Sequence, residues 1–454
     1  MPANYVLLGK VTLGASAASV TFSNIPQSGY TDLKIVASAR GTQSSVNQSY
    51  QMTFNGTSTT GLSMKRLYGN GASAASDSGL QNIEAVGATA TSNTFSNDEI
   101  YIPNYTSANY KSYSIDNVGE TNAATAYAIL HAGLWSNTAA ITSIVFTGIS
   151  GSFVQYSTFY LYGLAAVGTT PVIAPFASGG DSITTDGTYW YHAFLSSGTF
   201  TPAKALTASC LVIAGGGGGS SGEGAGGGAG GVSYLATSTL SSSSYTVTVG
   251  GGGAGGAQNS AANPGTTGSD SSFNSIISNG GGGAKYNNGL SGGSGGGTYF
   301  GYTGGAATQG NTGGATGYGN AGAIGFNSTS YNGGGGGGAG GAGGNATGTR
   351  IGGTGGAGLG TWSTWATATS TGVSGYYAGG GGGGAGYGAS GGTGGSATGG
   401  GGAGASNGKT AGTAGTANTG GGGGGANANS DSNADSAAGG TGGSGIVIIR
   451  YPMV

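Results

Sequence analysis

The chain has 454 residues, of which 110 are glycine and only 5% are charged, and its formal net charge is −2. Scattered cations, with only Lys65 and Arg66 adjacent, exclude a phosphate-binding surface of clustered lysine and arginine, so no nucleic-acid partner is expected. The 25 Tyr, 12 Phe and 4 Trp exclude the usual charge-rich, aromatic-poor disorder.

Residues 1–167 read as an all-β domain. The runs Tyr5–Leu8, Ser19–Phe22, Leu33–Ala37, Tyr50–Phe54, Glu99–Ile102, Ile144–Phe146 and Phe159–Tyr162 are short, rich in β-branched and aromatic residues, and separated by turn formers. Several alternate polar and apolar residues, as in a sheet with one wet face. A β-sandwich of eight or more strands, jelly-roll-like, fits them. No amphipathic helix is evident there. Residues 168–180, with two prolines and flanking glycines, read as a connector.

Residues 181–454 read as a glycine-rich domain with a β base at 188–214 and 445–452 and glycine runs with loops at 215–444. The apolar runs Leu206–Ala214 and Gly445–Tyr451 are expected to pair and close that region, and Tyr245–Val249 to join the same sheet. The lone cysteine, Cys210, lies in the first of these runs and reads as a buried strand residue that allows no intramolecular disulfide. No charged-then-apolar leader opens the chain, and no apolar stretch approaches the roughly 20 residues that span a bilayer, so membrane insertion is not expected.

From residue 178 onward about one residue in three is glycine, which loses more backbone entropy on folding than any other residue. A linker would rarely exceed 200 residues or hold Trp362 and Trp365. Collagen needs glycine at every third position with abundant proline, and only 8 Pro are present. A calcium-binding β-roll needs an aspartate in each repeat, and the region offers only Glu223, Asp270, Asp431 and Asp435. What fits is a packed set of polyglycine-II helices, three residues per turn, whose outward N–H and C=O groups bond to neighbouring helices. Uninterrupted glycine then marks interior rods, and Ala or Ser marks outward positions.

Catalytic signals are thin. His131 and His192 sit among apolar residues and read as packed strand residues. Asp98 and Glu99, with Asp116 and Glu120, could supply paired carboxylates for glycoside cleavage, but they read more simply as solvated loop charges. Gly408-Lys409-Thr410 lacks the rest of a phosphate loop. No enzymatic activity, cofactor or metal site is expected. The aromatic residues set among small ones, Tyr299, Phe300, Tyr302, Trp362, Trp365, Tyr376 and Tyr377, are the candidate receptor-binding set. Their alternative role is a hydrophobic lid on the glycine slab. Asn287, Asn288, Asn327 and Asn332 could bond sugar hydroxyls or complete turns.

The segment Tyr191–Thr201, then Cys210–Ala214 leading into Gly215–Gly219, together with the ending Gly442–Tyr451, resembles the two ends of the glycine-rich domain of bacteriophage tail fibres and receptor-binding adhesins. Tyr5–Gly9, Ser19–Pro26 and Tyr30–Leu33 likewise resemble the N-terminal β-domain of virion proteins. The resemblance implies a virion tail fibre, made in the host cytoplasm, whose loops on a polyglycine-II sandwich bind a host-surface glycan or outer-membrane protein. It implies other tail proteins as partners and brings a homotrimer into consideration. A structural virion fibre or head decoration protein without receptor binding is the alternative.

Overall fold

The computed structural model describes residues 5–79, 82–121, 126–165, 175–222, 224–258, 263–326, 331–348, 350–386, 392–428 and 436–453. The chain is mainly β and forms two compact units. One comprises Met1–Phe176, Asp181–Tyr191 and Pro452–Val454, and the other Ala177–Gly180 and His192–Tyr451.

The first unit contains β1 (Tyr5–Thr12), β2 (Ser19–Phe22), β3 (Tyr30–Ser38), β4 (Asn47–Phe54), β5 (Leu62–Gly69) and β6 (Ala74–Gly79). It continues through β7 (Ile83–Val86), β8 (Asn97–Ile102), β9 (Lys111–Gly119), β10 (Tyr127–Trp135), β11 (Ile144–Gly148) and β12 (Thr158–Ala165). A short β13 (Ala177–Ser178) belongs to the second unit, and β14 (Ser182–Thr185) returns to the first.

The order β1-β12-β3-β8 in one sheet and β2-β11-β4-β7 in the other is that of a jelly roll, with consecutive strands crossing between the sheets. The β5–β6 and β9–β10 hairpins widen the first sheet. Period-two burial drives the packing: Tyr50, Met52 and Phe54 of β4 and Phe146 of β11 face Ile35, Ile100, Tyr113 and Phe159 in one apolar core. Its rings meet mostly edge to face, as Tyr50 meets Phe153 with centroids 5.4 Å apart.

The strands read from sequence in residues 1–167 all form. Five more were missed, among them β9 and β10, whose exposed positions include hydrophobic Val118, Leu130 and Leu134 and so blur the alternation. The boundary also differs from 181. β14 pairs with β1, Lys10 opposite Ile183, and residues 181–191 belong to the first unit rather than to the glycine-rich domain expected to start at 181. Of the expected connector, 168–174 lie outside the described residues.

β15 (Tyr189–Phe194) carries the chain into the second unit. There follow β16 (Gly198–Pro202), β17 (Leu206–Ile213), β18 (Val232–Leu240), β19 (Tyr245–Thr248), β20 (Ser271–Phe273), β21 (Ile276–Ser278), β22 (Thr316–Tyr318), the helix α1 (Ser363–Thr369) and β23 (Ile446–Pro452). As expected, β17 pairs antiparallel with β23, Cys210 opposite Ile449. Tyr245–Thr248 does not join that sheet. Both edges of β17 are already filled by β18 and β23, so β19 pairs with β16 and β20 in a second sheet.

The glycine runs form rods that are bonded to one another. Along the first run, Gly215 N–H donates to Ser269 O, Gly216 to Gly443 O and Gly217 to Gly228 O. The pattern then repeats on the same three neighbours, with Gly218 donating to Thr266 O, Gly219 to Gly440 O and Ser220 to Ala225 O. A partner that recurs every third residue is the signature of a three-residue turn. The same run accepts from Gly253 and Gly256, from Gly281 and Ala284, and from Gly423 and Ala426. Rod 215–220 therefore has six neighbours, three that it donates to and three that donate to it.

That packing leaves no room for side chains. A Cβ on Gly216 would lie 2.1 Å from Gly421 O, and one on Gly219 2.1 Å from Gly424 O. Outer rods relax the demand with the same period: in Gly412-Thr413-Ala414-Gly415, Thr413 and Ala414 are exposed and the glycines half-buried. The expectation that Ala and Ser face outward needs one correction. Ala225, Ala229 and Ser294 are fully buried inside the array, so interior rods accept a small side chain at selected positions.

The array should fail where this clash is severe. Gly335→Val and Gly382→Val, whose Cβ atoms would stand 1.9 Å from Thr354 O and Gly395 O, should destabilise the second unit by at least about 3 kcal/mol. Gly251→Ala, with no atom within 4 Å of its Cβ, should be neutral. Calorimetry of the full chain should show the second unit's transition lowered while the first unit's stays, and unchanged melting of both valine variants would refute the packed-rod array.

Candidate recognition surface at the rod ends

Strand connections and hydrogen-bond register give these rods a sheet end and a far end. Gly231 runs directly into β18, so residues early in rod 224–231 are remote from the sheets. Gly226 N–H bonds Gly334 O and Ala229 bonds Gly337 O, while Gly334 N–H bonds Thr298 O. Thr298 and Gly334 are thus at the far end, as are the residues just outside them, Tyr299 and Tyr331. By the same register, Gly353 bonds Gly333 O and Gly356 bonds Gly336 O, so the chain returns to the sheet end by Leu359.

The seven aromatic candidates therefore do not share one surface. Trp362, Trp365 and Tyr377 are buried at the sheet end. The Trp362 ring lies 5.1 Å from Tyr234 of β18 and 5.7 Å from Tyr318 of β22. Trp365, on α1, packs 5.9 Å from Tyr234 and stacks under the Arg450 guanidinium at 4.5 Å. The Tyr377 hydroxyl bonds Thr371 Oγ1, and burial pushes its pKa up to about 12. These three form the hydrophobic lid rather than an open surface. Tyr376 beside them is exposed. The helix itself, seven residues in an otherwise glycine-rich region, was not anticipated.

At the far end, Tyr299, Phe300 and Tyr302 join two residues not singled out from sequence, Tyr286 and Tyr331. Tyr299 lies 4.9 Å from Tyr286 and 5.9 Å from Tyr331, and Phe300 lies 5.1 Å from Tyr331 and 6.3 Å from Tyr302. Tyr299 is buried beneath the others, whereas Tyr286 and Tyr302 are 37% and 40% exposed. Phe300 and Tyr331 adopt φ of 60° and 37°, a left-handed conformation costly for bulky residues and typical of sites under functional constraint. The sequence signal for the missed pair was available: each, like Tyr299, lies just outside a glycine-rich run.

Asn287 and Asn288 are exposed beside Tyr286. Asn332 is instead a turn-builder, buried, donating to Gly348 O and accepting from Gly386 N–H. Asn327 lies outside the described residues. Lys285 and Lys409 are exposed in far-end segments.

A family model described as Glycine-rich domain matches residues 195–452. The chain belongs to that family. No curated protein and no solved structure matches it. The family match begins within four residues of the point where the contacts place the start of the second unit's main segment, at His192.

In this glycine-rich-domain protein the histidines are packed. His192 is fully buried, its Nδ1 2.7 Å from Gly179 O and its Nε2 2.9 Å from the Tyr451 hydroxyl. His131 is buried against Met64 Sδ, and desolvation lowers its pKa to about 4. Among the described residues no three His, Cys, Asp or Glu side chains converge as for a metal ion. No helix among them is long and apolar enough to cross a membrane.

The acidic group departs from the expected solvated loop charges. Asp98 is fully buried in β8, accepting from Tyr50 Oη at 2.8 Å, Ser96 Oγ at 2.8 Å and Asn117 Nδ2. Burial raises its pKa to about 7, against the three donors that favour the anion. The folded state then binds this proton more tightly than the unfolded chain, so its contribution to stability falls as pH rises from about 4 to about 7.

Two measurements check these assignments. Relative to Asp98→Asn, the wild-type Tm should fall between pH 4.5 and 7.5, and a constant difference would refute the raised pKa. Trp365→Ala should cost about 3–5 kcal/mol in thermal unfolding, whereas Tyr302→Ala should leave stability within about 0.5 kcal/mol.

Proposed function

We propose that this protein is a virion tail fibre or adhesin that binds a host-cell surface receptor, a polysaccharide or outer-membrane protein, through far-end loops. The observation that carries this reading is the five-ring far-end cluster, with Tyr286 and Tyr302 open to solvent on a rod array anchored at its other end by sheets. Tyrosine rings bring contact area at low conformational cost. Rods bonded to several neighbours hold the loop ends in place, which limits the ordering entropy that binding must overcome. The likeness of the unit's two ends to tail-fibre sequences supplies the biological setting. Partner tail proteins and a homotrimeric assembly belong to the same proposal, as does a virion location.

Full-length protein labelled with a fluorophore should adsorb to cells of the phage's host. Tyr286→Ala with Tyr302→Ala should reduce adsorption at least tenfold at unchanged Tm. Adsorption that survives the double variant would overturn the far-end assignment, and no adsorption by the wild type to a demonstrated host would favour a structural virion part.

A further inference from the structure

We propose that the open face of the larger sheet in the first unit is a second binding site, and that its ligand is a neutral oligosaccharide. A groove of about 390 Å³ crosses this face, walled by Tyr5, Lys34, Glu99, Tyr101, Asp116 and Leu130. Period-two alternation puts all six on the side opposite the core. The strand register sets them in rows: Tyr162 opposite Lys34, Lys34 opposite Tyr101 and Tyr101 opposite Ser114. With strands about 4.8 Å apart, Tyr162 and Tyr101 mark out a platform roughly 10 Å wide. Tyr160 extends it, its ring stacked on Tyr162 at 6.3 Å with planes 13° apart.

The rings are held for contact rather than left loose. The Tyr101 hydroxyl donates to Asp32 Oδ2 at 2.6 Å, and Asp32 Oδ1 accepts from Asn104 N–H. Lys34 Nζ bonds Glu99 Oε2 at 2.7 Å and lies 5.5 Å from the Tyr5 ring centroid. Tyr5 and Tyr101 nonetheless remain 48% and 36% exposed. A core has no use for them in that position.

Charge selects the class of ligand. Glu99 stands directly opposite Asp116 in the register, a like-charge pair that destabilises a sheet. Lys34 answers Glu99, and among the described residues no cation stands within ion-pair distance of Asp116. Asp32 adds a third carboxylate beside Tyr101. Lys10 and Lys65 lie further out on the face, opposite Tyr160 and Ala132. An anionic glycan or phosphate is repelled by this wall. A neutral pyranose chain is matched by it: the C–H faces of the sugars rest on the tyrosines, and their hydroxyls donate to Asp116 and Glu99.

The test is calorimetric titration of the full chain with cellohexaose, maltohexaose and isomaltohexaose, and with oligogalacturonate as the acidic control. At least one neutral hexaose should bind with Kd below about 1 mM and the acidic one should not. Tyr101→Ala and Asp116→Ala should each weaken binding about tenfold. Tyr101→Phe, which keeps the ring, should weaken it less. Should Tyr101→Ala lower the Tm, Asp116→Ala and Tyr5→Ala decide the matter. Binding of none of the neutral probes, or binding indifferent to Asp116→Ala and Tyr5→Ala, would overturn the site. Loss of sugar binding in Tyr302→Ala alone would also overturn it, and would move the sugar to the far end of the rods. Cell adsorption lost in Tyr286→Ala with Tyr302→Ala, but kept in Asp116→Ala, separates the two proposals.

Discussion

The second unit depends on one contact: a backbone N–H on one rod meeting a backbone C=O on the next at a distance no Cβ permits. Around rod 215–220 this contact is made in six directions with a three-residue repeat. Rod 224–231 repeats it, donating to Ala426, Gly423 and Gly420 on one neighbour and to Gly334 and Gly337 on another. An unpaired backbone group in such an interior would cost about as much as a lost hydrogen bond, so a side chain that spreads two rods breaks several bonds at once. The entropy lost by ordering so much glycine is offset by this dense bonding rather than by an apolar core.

The two ends of the array follow from that constraint. At the sheet end, several runs continue into strands, and the excursion 359–378 seals the edge with Trp362 and Trp365 against Tyr234 and Arg450. At the far end no sheet takes over among the described residues, and bulky residues can occur only where the glycine stops. Tyr286, Tyr299 and Tyr331 lie at such points, and they come together because their rods are neighbours. Rigidity and exposure thus have one origin.

The first unit rests on different physics, an apolar core of interdigitated side chains, and its surface chemistry is correspondingly different. Strand alternation sends Asp98 inward and its neighbours Asn97 and Glu99 outward. The same acidic pair therefore yields a buried carboxyl with a raised pKa and an exposed one facing Asp116. Neither is the solvated loop charge that composition suggests. Their strand register, invisible in a list of residues, assigns them opposite roles.

The sequence by itself determined the classes of structure. Short aromatic and β-branched runs required a β-sandwich, and glycine runs without proline or acidic repeats required bonded polyglycine rods. The apolar runs 206–214 and 445–451, buried on both faces, could only pair with each other or with similar strands. Membership of an edge rod was legible too, in triplets such as Gly412-Thr413-Ala414, because the three-residue turn returns every third residue to the same face. Tertiary structure alone decided which rods are neighbours and which end of each meets the sheets. It separated Tyr299, Phe300 and Tyr302 from Trp362, Trp365 and Tyr377, added Tyr286 and Tyr331 to the first group, and sent Tyr245–Thr248 to the second sheet. The reason is physical: nearly identical glycine rods carry no side chains to specify their partners, so adjacency is set by the loops and strands that join them and by the array as a whole.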